Sequence, residues 1–142
     1  MRNRDVRRLA TDISEPVVNA AAEGFYAAGG VEGVPEAYRK AWMVPEGNGY
    51  RMAEAARALV TARPLNLFGE WPMRQRYDAI FCRNVTIYFD DSAKEELEAR
   101  LVDLLKPGGY LYIGHSERLI GPAVSRMKSC GNTIYQRTDG AA

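Results

Sequence analysis

Arg83 and Asn84 stand between two apolar runs, Ile80-Phe81-Cys82 and Val85-Thr86-Ile87-Tyr88-Phe89. An unpaired guanidinium inside a buried strand is heavily penalised by desolvation. The pair therefore reads as the end of a strand, where polar groups emerge into a cleft. Three other places repeat the pattern. Asp12 follows the apolar piece Val6 to Leu9, Asn66 and Leu67 follow Leu59 to Ala62, and His115-Ser116-Glu117 follow "YLYIG". A carboxylate can accept hydrogen bonds from paired hydroxyls, an amide can both donate and accept, and a guanidinium can grip a carboxylate. Ligands of open parallel sheets bind beyond the carboxyl ends of the strands. Four such ends could together take a ribose, an adenine or a charged substrate.

Each residue also has a plainer role. An aspartate after a strand closes a turn, and Asn66, close behind Pro64, is a turn residue by default. Glu117-Arg118 reads as a solvated pair of small energetic weight. His115 reads as structural, and Tyr88 and Phe89 as core aromatics. Only their joint placement at successive strand ends favours a site.

The elements that must position these residues alternate strand and helix. Ser14-Glu15-Pro16 opens a helix with Ser14 as cap and Pro16 in the first turn, and Val17, Val18, Ala21 and Ala22 give it an apolar stripe. Residues 24–58 are glycine-rich at first and then hold two short apolar pieces around Glu46-Gly47-Asn48-Gly49, a hairpin signal. "YDAIFC" suits a central strand buried on both faces. Ser92 and Glu95 suggest a capping box for the next helix. In that helix Leu97, Leu101, Leu104 and Leu105 form the apolar side, with Lys94, Glu95, Glu98, Arg100 and Asp103 opposite. Pro107-Gly108-Gly109 stops it, "YLYIG" is the following strand and "TIYQR" the last. This order predicts a parallel α/β sheet.

The bulk numbers narrow the class. A chain of 142 residues fits one domain, and 46% hydrophobic with 26% charged residues is ordinary for a globular protein. A net charge of +1 gives no general argument for nucleic acid or a membrane surface. No apolar run reaches the roughly 18 residues of a membrane span. The basic N-terminus lacks the apolar stretch of a secretory signal. Cys82 and Cys130 have no metal-like spacing and read as free thiols of a cytoplasmic protein. The single His115 excludes a multi-histidine metal site, and no metal is expected.

With these residues set out, "ATDIS", "RPLNLFGEWPM", "YDAIFCRNVTIYFD", "LLKPGGYLYIGHSE" and "TIYQR" resemble the C-terminal part of CheR-type methyltransferases. These bacterial chemotaxis enzymes use S-adenosylmethionine to methylate glutamates of chemoreceptors. The resemblance runs over nearly residues 8–137. It implies a Rossmann-like class I methyltransferase sheet across 1–142, with a small β-subdomain inserted at 24–58 that docks on the receptor. It implies that Asp12 accepts hydrogen bonds from the cofactor ribose and that Asn66 and Leu67 contact the adenine. Arg83 and Asn84 would line the pocket near the amino-acid end of the cofactor, and Tyr88 would sit close to the transferring methyl. Chemoreceptor cytoplasmic domains are the implied partners.

One departure carries weight. Folds of this kind place the acidic ribose ligand about 20 residues after a glycine-rich loop. Here that loop, its strand and the helix behind it would lie before Met1, as would the family's N-terminal helical domain and its catalytic arginine. These 142 residues alone are therefore expected to bind cofactor weakly or not at all. Removing that strand would leave either two unpaired edges or a direct pairing of the strands ending at Asp12 and Cys82. A catalytically inactive receptor-docking module of the same family is the second reading. A dehydrogenase-like enzyme is disfavoured by the lack of GxGxxG.

Overall fold

A computed structural model describes residues 5–140. The chain forms two compact units, one ending at Trp71 and one beginning at Pro72.

In the first unit, β1 (Arg8–Asp12) pairs in parallel with β5 (Val60–Pro64), with Asp12 in register with Pro64. The first strand thus ends on Asp12 itself and runs later than the Val6–Leu9 stretch that apolarity alone suggests. Helix α1 (Glu15–Glu23) follows, with Pro16 in its first turn. Ser14 occupies the cap position, but its side chain makes no capping bond. The Asp12 side chain takes over locally, its Oδ1 accepting from Ser14 N at 2.9 Å. Of the expected apolar stripe Val18 is buried, whereas Val17 is 49% exposed.

A second sheet lies within residues 25–52. Strand β2 (Phe25–Ala27) and strand β3 (Met43–Glu46) flank β4 (Gly49–Met52), all antiparallel. A short helix, α2 (Glu36–Trp42), precedes β3, and α3 (Glu54–Arg57) leads on to β5. The predicted hairpin is the β3–β4 connection. Gly47 adopts φ 55°, which a β-carbon would disfavour.

The second unit is built on a β-α-β element. Strand β6 (Tyr77–Cys82) leads through α4 (Asp91–Leu104) to β7 (Leu105–Ile113), and the two strands are parallel. Two antiparallel strands complete a sheet of order β6-β7-β9-β8, with β8 at Met127–Gly131 and β9 at Ile134–Arg137. The expected all-parallel sheet is therefore mixed, and β8 is an addition. Leu97, Leu101 and Val102 of α4 pack with Leu105, Leu111 and Ile113 as the buried core. Burying each such side chain contributes about 1.5–3 kcal/mol.

Three expectations need correction here. The cap of α4 is Asp90, whose Oδ1 accepts from Ala93 N at 2.9 Å. Asp90 stands one residue ahead of the helix and reaches its third amide, so Ser92 falls inside the first turn. The helix stops at Leu104, and Leu105 through Gly109 already belong to β7. Strand β6 is not buried on both faces. Cys82 is buried but Phe81 is 69% exposed, stacked on Tyr112 at 4.4 Å between ring centroids. The face of β6–β7 bearing Leu111 and Ile113 packs on α4, and Phe81 and Tyr112 lie on the other face. Among the described residues β1 pairs with β5, and β6 pairs with β7.

Candidate functional site

In each unit the candidate residues gather at the carboxyl ends of a parallel pair. In the first, Leu65 N donates to Asp12 O at 2.9 Å, locking the end of β1 to the start of the loop after β5. Asn66 and Leu67 lie in that loop. Asn66 Oδ1 accepts from Phe68 N at 3.0 Å, and Leu67 O accepts from the Trp71 indole at 3.1 Å. The plain turn roles weighed for Asp12 and Asn66 are thus filled, each by one oxygen. The remaining polar atoms, Asp12 Oδ2 and Asn66 Nδ2, make no hydrogen bond among the described residues. An acceptor and a donor are left over at neighbouring strand ends.

In the second unit Arg83 and Asn84 leave β6 directly, and Tyr88 ends a short 3-10 turn over Thr86–Tyr88. Arg83 and Asn84 are exposed, and Tyr88 is 81% exposed. Tyr88 is therefore no core aromatic. The side chains of Arg83 and Tyr88 have no hydrogen-bond partner among the described residues. Asn84 adopts φ 58°, a left-handed conformation that non-glycine residues avoid outside special turns. That reversal explains the opening pattern: the chain turns sharply out of the sheet at the polar pair before the second apolar run begins.

Sequence reasoning missed what holds this reversal. Glu117 is 8% exposed. Its Oε1 accepts from Thr86 N at 3.1 Å and from Thr86 Oγ1 at 2.6 Å, and its Oε2 accepts from Asn84 N at 3.2 Å and from Gly114 N. The solvated Glu117-Arg118 pair is thus a misreading. An acid next to an arginine looks like surface, and only the fold brings four donors to it. Burial pushes the Glu117 carboxyl up, but the bonds from the Thr86 hydroxyl and the Gly114, Asn84 and Thr86 amides outweigh it and hold it below the usual carboxylate range. Glu98, expected on the solvent face of α4, is buried too. It accepts from Ile120 N and Gly121 N at 2.9–3.1 Å and so anchors the far end of the same loop.

Cys82, at the end of β6, is a buried thiol pushed up to about 11 by its burial and by the nearby Glu117 charge. It is no nucleophile at neutral pH. The described residues contain no cluster able to hold a metal ion. No helix is long and apolar enough to cross a membrane.

Each unit therefore leaves polar groups of its own open at the carboxyl end of its parallel strand pair: Asp12 and Asn66 in the first, Arg83 in the second. A carboxylate oxygen meets hydroxyls, an amide meets a base edge, and a guanidinium meets a carboxylate. Residues 1–135 match the family described as CheR methyltransferase, SAM binding domain. A probable chemotaxis protein methyltransferase of Rhizobium etli is 38% identical over 138 residues, covering 94% of this chain and 52% of that protein. Chemotaxis protein methyltransferase 2 of Pseudomonas aeruginosa is 36% identical over 135 residues, covering 92% and 48%. A chemotaxis protein methyltransferase of Klebsiella aerogenes is 46% identical over 90 residues, covering 62% and 30%. The chain spans about half the length of the first two of these curated relatives.

Proposed function

This chain belongs to the CheR methyltransferase SAM-binding-domain family, and on that premise we propose that it transfers a methyl group from S-adenosylmethionine to glutamate carboxylates of chemoreceptors. The observation that carries the proposal is the set of polar side-chain groups with no protein partner among the described residues, at the carboxyl ends of two parallel strand pairs, in a chain of this family.

Asp12 accepts from the ribose hydroxyls through the oxygen not used by Ser14. Asn66 offers its free amide nitrogen to the adenine, and Leu67 covers the base with apolar surface. Arg83 and Asn84 line the pocket at the amino-acid end. When bound, the cofactor supplies an electrophilic methyl on a sulfonium. Tyr88, beside that position, orients the acceptor carboxylate with its phenolic hydroxyl and does not need to remove a proton. A glutamate is already ionised at neutral pH, so the chemistry asks for alignment and exclusion of water. A chain with a single histidine meets that demand.

Residues 24–58, with the three-stranded sheet, are the part we assign to receptor docking. Tyr26, Tyr38, Trp42 and Val44 are all more than 40% exposed there. A docking module without catalysis is the competing reading. Labelled methyl from S-adenosylmethionine is offered together with chemoreceptor membranes, and alkali-labile methyl esters are counted. Incorporation that falls at least tenfold in Asp12→Ala and in Tyr88→Phe supports the transferase. Binding to the membranes with no incorporation by the wild type replaces it with the docking module.

A further inference from the structure

We propose that Glu117 is a positioning residue, whose carboxylate holds the segment after β6 in the conformation that presents Arg83, Asn84 and Tyr88. The proposal rests on the cofactor reading above and adds a residue to it.

The geometry starts from the backbone. Asn84 is left-handed and Val85 right-handed helical, at φ 58° and φ −102°. Successive residues of opposite hand turn their N–H groups inward and make a small concavity that attracts anions. Here the anion is internal. The turn closed by Glu117 N donating to Gly114 O at 3.0 Å swings the Glu117 side chain back into that concavity. Both oxygens are then occupied by donors alone: Asn84 N, Thr86 N, Thr86 Oγ1 and Gly114 N. No cation takes part, so the charge is held by dipoles, and the Arg83 guanidinium is left to face outward.

The residue type follows. Every contact is a donor, so a carboxylate satisfies all four. A glutamine in its place would turn an –NH2 toward N–H groups and leave at least one of them unsatisfied. An aspartate is one methylene too short to span the ends of β6 and β7 together. Gly114 fits the same arrangement, since a β-carbon there would lie 2.5 Å from Asn84 Oδ1 and against the Glu117 carboxylate.

Glu98 supplies the control. It is equally buried and holds the other end of the loop, but none of its donors belongs to the segment after β6. The test compares wild type, Glu117→Gln and Glu98→Gln at a temperature where all are folded. In the ligand-free protein, amide hydrogen exchange of Asn84, Thr86 and Gly114 is read by NMR. Affinity for S-adenosylmethionine is read by calorimetry. In Glu117→Gln these three amides exchange at least tenfold faster and affinity falls about tenfold to a hundredfold, as leaving one buried donor unsatisfied implies. Glu98→Gln leaves the three amides and the affinity within about twofold. Unchanged exchange in Glu117→Gln, or equal affinity losses in both variants, overturns the positioning role. Absence of binding by the wild type with its three amides protected strikes the cofactor reading and leaves the tether standing.

Discussion

Thr86 gives both of its hydrogen-bond donors to one oxygen of Glu117, its amide at 3.1 Å and its hydroxyl at 2.6 Å. The two residues are 31 apart in sequence, one beyond β6 and one beyond β7. The contact therefore joins the ends of two parallel strands that share a core but whose loops would otherwise be independent.

Thr86→Val keeps the shape of the side chain and deletes one donor to a charged acceptor. The loss is about 1.5–3 kcal/mol, the range for a hydrogen bond to an ionised group. Urea unfolding should show a lower midpoint with an unchanged slope. A midpoint equal to wild type would mean that the hydroxyl contact contributes nothing.

Acid should release the tether. The folded Glu117 carboxyl titrates below its unfolded value. Between the two values the unfolded chain binds more protons, so stability falls as pH falls. The contribution is complete above about pH 4.3, the ordinary glutamate value, and disappears as pH drops through the folded value. Wild type should lose more stability than Glu117→Gln between pH 6 and pH 3. Parallel curves for the two would contradict the assignment. The comparison with the variant matters because Asp139 is also held low, by bonds from Arg137 and Arg126.

Gly114→Ala should be among the most damaging small substitutions in the second unit. The added β-carbon meets the Glu117 carboxylate, Asn84 Oδ1 at 2.5 Å and Asn84 N at 2.9 Å. Overpacking of this kind costs about 1–3 kcal/mol or more. Gly33→Ala is the matched control, with no atom within 4 Å of the new carbon. Thermal melts of the pair should separate by several degrees, and equal melting would refute the crowding.

The two cysteines should react very differently. Cys130 is exposed, whereas Cys82 is buried with its thiol pushed up to about 11. At pH 8 a disulfide reagent should titrate one thiol in the native protein and two in denaturant. Two fast thiols in the native state would show that the end of β6 opens readily.

Much of this was written locally. The leucines of α4, the Gly47 turn of the β3–β4 hairpin and the apolar strands β6 and β7 each carry a periodic or turn signal that neighbours alone produce. Strand β8 carries none. Met127–Gly131 is mostly exposed and becomes a strand because β9 pairs with it across the turn at Gly131 to Thr133. Phe81 reads as core in any window, yet its exposure depends on which face of the sheet α4 covers.

The sequence by itself determined the family, through the strings around Asp12, Asn66, Arg83-Asn84 and the Gly114-His115-Ser116-Glu117 stretch, and it placed the candidate ligands at strand ends. Only the tertiary structure decided which acids are solvated. Glu98 and Glu117 are indistinguishable from surface carboxylates along the chain, because apart from Gly114 N their donors lie 22 to 33 residues away. A carboxylate's burial is set by donors that folding brings to it, and no local pattern encodes that encounter.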